Sequence, residues 1–164
     1  MMAKRHNFKP RRSARTVHQM KGMTLIELSI VVFIISTLAG IGYIGYQEFY
    51  YKAQIAHAVA DIRNIDATLH LYYAENVAFP PTLADIGQNN HLDPWGNPYE
   101  YWPITGDKKQ HVRKDRNLHP LNTDFDLYSK GRDGNTNLAL TAHASQDDII
   151  RANNGGFVDL GSKY

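Results

Sequence analysis

Two sets of oxygen-bearing side chains in this 164-residue sequence stand where they could do chemistry. The first is a single carboxylate, Glu27, near the start of an apolar run over residues 23–46. Acids inside membrane-length apolar segments are rare, costly and normally partnered, which makes Glu27 a functional candidate. The plainer alternative is a Glu close enough to the helix start to reach headgroup water. The second set is the clustered oxygens of Asp126, Ser129 and Asp133, followed by Ser145, Asp147 and Asp148. Asp and Ser oxygens in turns suit a hard cation such as Ca²⁺, which takes about 6–8 oxygen ligands. Solvated acidic turns have the same composition, and an EF-hand is excluded: counting from Asp133, the Gly and Glu positions hold Leu138 and Ala144. No G-x-S-x-G, H-E-x-x-H, P-loop or Cys nucleophile is present. The eight histidines, two of them His6 and His18, lack metal-ligand spacing, so nothing in the sequence points to an enzyme.

The elements that must position these groups follow from hydropathy. Residues 23–46 form a 24-residue stretch whose one charged side chain is Glu27. As a helix it is roughly 36 Å long, enough to cross a hydrocarbon core of about 30 Å. Residues 1–22 carry seven basic residues and no acidic one, which predicts a cytoplasmic N-terminus and an exported remainder. From Gln47 to Glu75 the pattern turns amphipathic. Ile55, Val59, Ile62, Ile65, Leu69 and Tyr72 make one stripe, with His57, Asp61, Asn64, Thr68 and Glu75 largely off it. No Pro interrupts residues 23–75, so one continuous helix is predicted, with Gly40, Gly42 and Gly45 as a flexible segment or a close-packing face.

Beyond Asn76, Pro80 and Pro81 break the helix, and residues 82–87 predict a short helical turn closed by Gly87. Asp93-Pro94-Trp95-Gly96-Asn97-Pro98-Tyr99 predicts two turns whose aromatics pack back on the helix. Residues 100–104 and 125–129 alternate as strands. The loop between them, rich in Lys and Arg, has the composition of a solvated charged loop.

Charge and cysteine content narrow the class. The formal net charge is +2 and the pI about 8.8. Without residues 1–22 the balance is 11 basic against 16 acidic residues, a formal −5, so the basic pI belongs to the leader and no nucleic-acid partner is expected. There is no cysteine, which excludes a disulfide brace and leaves a small exported domain in need of another staple.

The junction Lys21-Gly22-Met23-Thr24-Leu25-Ile26-Glu27 places a small residue before the apolar segment instead of after it, unlike a secretory signal. It resembles the class III leader of type IV pilins and type II secretion pseudopilins, and the DPWGNPY stretch resembles the major pseudopilin. The resemblance implies an α+β pilin fold: a long N-terminal helix packed on a small antiparallel sheet. It implies a leader at 1–22, a transmembrane and assembly helix at 23–46, an amphipathic helix at 47–75 and a periplasmic head at 76–164. Prepilin peptidase would cut between Gly22 and Met23, with methylation of the new terminus. Glu27 would then meet the free amine of Met23 on a neighbouring subunit, a cation that exists only after processing. The implied calcium site, for one ion, uses Asp133, Ser145, Asp147, Asp148 and the main-chain carbonyl of Lys130, with Asn135 as a weaker addition. The implied function is structural: a subunit of a homo-oligomeric pseudopilus for exporting folded proteins. Its partners would be minor pseudopilins, an inner-membrane assembly platform and membrane lipid. The alternatives are a type IV pilin of an adhesion, motility or DNA-uptake filament, and a membrane-anchored periplasmic binding protein.

Overall fold

Helix α1 spans Leu25–Asn76, 52 residues, so the continuous helix predicted from the absence of proline is present. The computed structural model describes residues 22–104, 112–116 and 119–164. Most of the basic leader, residues 1–21, and part of the Lys-rich loop, residues 105–111, lie outside the described residues. The chain divides into two units, residues 1–42 and 43–164.

In the first unit the described part is the N-terminal portion of α1. Its apolar side chains are exposed all round: Leu25 is 88% exposed, Phe33 72% and Ile41 69%. The helix is long and apolar enough to cross a membrane. Ser29, Ser36 and Thr37 fold their hydroxyls back onto the carbonyls of Ile26, Val32 and Phe33, which hides polar groups that would otherwise oppose an apolar environment. Gly40 and Gly42 lie within the helix with open space at the Cβ position.

The second unit holds four antiparallel strands in the order β1-β2-β3-β4: Glu100–Pro103, Phe125–Ser129, Ile149–Ala152 and Phe157–Leu160. Strands β1 and β2 were predicted. The β3–β4 hairpin was not, although Asn153-Asn154-Gly155-Gly156 between two β-forming runs is a hairpin signal. Its turn needs positive φ at Asn153, Asn154 and Gly155 (53°, 54° and 89°), which Asn and Gly tolerate. Register pairs Tyr101 with Leu127, Tyr128 with Ile150, and Ile150 with Asp159.

Alternation along the strands gives the sheet two apolar faces. Ala58, Ile62, Ile65 and Leu69 of α1 pack with Phe125, Leu127, Ile149 and Val158 on one of them. Leu121, Tyr128, Leu140, Ile150 and Ala152 form a second cluster, in which Leu121 and Leu140 come from the connections between strands. The predicted stripe is therefore the packing face, with Ile55 and Val59 partly buried at its margin. Asp61 departs from the expectation. It is buried, 8% exposed, and accepts a hydrogen bond from the Tyr99 hydroxyl at 2.8 Å, with His57 Nδ1 and His91 Nε2 3.2 and 3.4 Å from the same oxygen; these partners make burial of an acid beside the stripe tolerable.

A 3-10 turn, Leu83–Ile86, closes at Gly87 as predicted. The DPWGNPY turns are built on Asp93, 4% exposed, whose Oδ1 accepts from the backbone N–H groups of Trp95 and Asn97. Trp95 and Tyr99 do pack toward α1: the Trp95 ring lies 6.3 Å from that of Tyr51, and Tyr99 joins the core.

Candidate functional site

The first candidate group, Glu27, sits in the first turn of α1, with its backbone N–H 3.3 Å from the Thr24 hydroxyl. Gly22 and Met23 are exposed and precede the helix. Among the described residues nothing pairs with the Glu27 carboxylate. Exposed apolar side chains thus flank one acid that has no partner among the described residues, and such an acid can be desolvated only by protonation or by a cation.

In the second candidate group the side-chain oxygens bond within the chain. Asp133 turns its Oδ1 to the backbone N–H of Asn135 at 2.7 Å, and Asp147 Oδ2 accepts from the backbone N–H of Asp133 at 3.0 Å. Ser145 Oγ bridges the backbone N–H and carbonyl of Asn137. The Lys130 ammonium pairs with Glu100. Asp148 is fully buried, and its Oδ2 accepts from the Arg113 guanidinium and from the Thr136 hydroxyl, the latter at 2.6 Å. Burial holds the Asp148 carboxyl above the usual carboxylate range despite that guanidinium. Among the described residues no three His, Asp or Glu side chains converge as metal ligands. Asp148 Oδ2 faces the Arg113 guanidinium, and Asp148 Oδ1 is buried without a hydrogen-bond partner among the described residues.

Gly131 fixes the local geometry. At φ +64° a Cβ there would meet the Asp147 carbonyl oxygen at 2.2 Å, so only glycine lets the chain after β2 lie against residue 147. The Asn97 side chain donates to the Gly131 carbonyl at 3.0 Å and joins the DPWGNPY turns to the same corner. The two stretches singled out in the sequence are one structural unit.

Two residues that sequence reasoning missed dominate the electrostatics. Arg113 was read as part of a solvated basic loop, yet it is 1% exposed, with its guanidinium 4.1 Å from the Tyr128 ring centroid. Arg151, also 1% exposed, donates from Nε to Asp66 of α1 at 2.6 Å, and from Nη1 and Nη2 to Asp124 at 2.8 and 2.6 Å. It also lies over Phe125. Burial pushes the Asp124 carboxyl up, but the Arg151 contacts and the Phe125 N–H outweigh it, so the group titrates below its ordinary range. A buried arginine has no sequence signature apart from its acids, and those lie 85 and 27 residues away.

Comparison with known proteins agrees with this geometry. Residues 18–43 match the prokaryotic N-terminal methylation motif, which covers Gly22, Met23 and Glu27. The chain is 31% identical over 137 residues to type II secretion system core protein G of Pseudomonas aeruginosa, covering 71% of this chain and 86% of that one. It is 29% identical over 109 residues to core protein G of Escherichia coli K12, covering 52% of this chain and 73% of the relative. A fimbrial protein of Neisseria meningitidis is 30% identical over 73 residues, 44% of this chain and 43% of its own length. No solved structure matches. On this motif and on an identity of 31% that spans 71% of the chain, the chain belongs to the type IV pilin-like pseudopilins.

Proposed function

We propose that this chain is a structural subunit of a type II secretion pseudopilus, assembling through the N-terminal part of α1 to drive export of folded proteins. The observation that carries this reading is the exposed apolar helix with Glu27 unpartnered in its first turn. Such a surface requires lipid or copies of itself, and such an acid requires a cation. Processing between Gly22 and Met23 supplies one, because the new α-amine is a charge absent from the precursor. The subunit would enter the inner membrane with its N-terminus cytoplasmic and its head periplasmic, and then move into a filament together with minor pseudopilins and an assembly platform. Its role in this reading is mechanical, without catalysis.

The likeness to a fimbrial protein supports a second reading, a type IV pilin, over less than half of the chain. Gene deletion separates the two: a pseudopilin is expected to abolish export of folded proteins, whereas loss of surface fibres with export intact would favour the pilin. Assembly itself is tested in this cysteine-free chain by I34C. Oxidation is expected to give intersubunit cross-links in membranes, and monomers alone would contradict the filament.

A further inference from the structure

The geometry points to Arg113 as the built-in cation of the acidic corner, holding by a guanidinium the turns for which the family resemblance implies a metal ion. Three segments meet on this side chain. Its own backbone lies in the β1–β2 connection, where its N–H donates to Asp126 Oδ2 at 2.6 Å and its carbonyl accepts from the Leu121 N–H at 3.1 Å. Its Nη2 reaches Thr136 Oγ1 and the Asn137 carbonyl, both at 3.1 Å, in the β2–β3 connection. The same nitrogen pairs with Asp148 at the entry to β3. One positive charge thus ties both long connections to the sheet, the cross-linking role that an oxygen-bound divalent ion would otherwise perform.

The remaining acids are used locally. Asp133 and Asp147 accept backbone N–H groups of the turn, and Ser145 is spent on Asn137. A divalent ion sharing Asp148 would lie close to the guanidinium. Unit like charges about 4 Å apart repel by several times thermal energy at an effective dielectric constant near 20, and a divalent ion doubles that. The Tyr128 face against the guanidinium further favours a planar organic cation over a hydrated metal. The pair is incompletely satisfied: Arg113 Nε and Nη1 and Asp148 Oδ1 are buried without hydrogen-bond partners.

The test is melting of the full chain in detergent, followed by near-ultraviolet circular dichroism, with excess calcium and with excess chelator, beside radiocalcium binding. The native chain is expected to melt at the same temperature in both and to bind no stoichiometric calcium. Arg113→Met is expected to lower the midpoint by roughly 10 °C, and Arg113→Lys, which keeps the charge but not the planar stack, by less. Two results overturn the inference: a chelator-dependent drop in the native chain with one calcium bound, or Arg113→Met melting like the native chain. The native arm decides the matter even if Arg113→Met does not fold.

Discussion

The two units treat charge in opposite ways. In residues 43–164 the buried Asp61 and Asp148 and the half-buried Asp66 and Asp124 face partners from the same chain: Asp61 the Tyr99 hydroxyl, Asp66 and Asp124 the Arg151 guanidinium, and Asp148 that of Arg113. In residues 1–42 the one described acid, Glu27, faces no partner among the described residues, although apolar side chains flank it. Burying an unpaired charge is prohibitive and burying a paired one is tolerable, so the acids of the head are held with their partners, while Glu27 needs a cation that the described residues do not supply. A secretion filament needs that division of labour. The part that assembles must stay unsatisfied until a neighbour arrives.

The largest expected effect falls on the unsatisfied side. Glu27→Ala should abolish intersubunit cross-linking through I34C while leaving leader removal unchanged, read by gel mobility of precursor and mature forms. If cross-linking survives at the native level, the contrast between the units has no functional meaning.

On the satisfied side, Arg151→Met strands Asp66 and Asp124 and should cost about 3–5 kcal/mol in urea denaturation. A cost near zero would show that the head does not depend on that bridge. Gly131→Ala comes next, at about 3 kcal/mol, because a left-handed φ and a backbone clash are incurred together.

Acid should act selectively on the same region. The folded-state pKa of Asp124 is depressed, so its contribution is fully present above the ordinary Asp range and is lost as pH falls through and below about 4. Asp124→Asn should flatten that part of the stability–pH curve, and an unchanged slope would remove Asp124 from the account. The smallest expected effect is that of Tyr99→Phe, about 1 kcal/mol. Burial, then the Asp61 hydrogen bond, holds the Tyr99 hydroxyl protonated far above the usual tyrosine range, so the phenol itself does not ionise between about pH 6 and 9.

What the sequence disclosed divides along the same line. Helix α1, its packing stripe, the turn closed by Gly87 and the strands β1 and β2 follow from local periodicity and breakers, and each is present. Glu27 stands out because the oddity is local, a charge inside a greasy run. The head's electrostatics were not legible, because Arg151 reaches Asp66 across 85 residues and nothing near residue 151 announces it. Arg113 was hidden by its neighbours, since a basic loop looks solvated whether or not one of its members turns inward. Asp148 stood out in the sequence as a calcium ligand implied by the resemblance, and its pairing with Arg113 has no local signal. The β3–β4 hairpin does have a local signal, Asn154-Gly155 between two short β-forming runs.

The central claim is that leader removal creates the cation for which Glu27 waits. Intact-mass measurement of subunits taken from cross-linked assemblies tests it most directly. The expected mass is that of a chain beginning at Met23 with a methylated amine. Assemblies built from subunits that still carry residues 1–22 would contradict it.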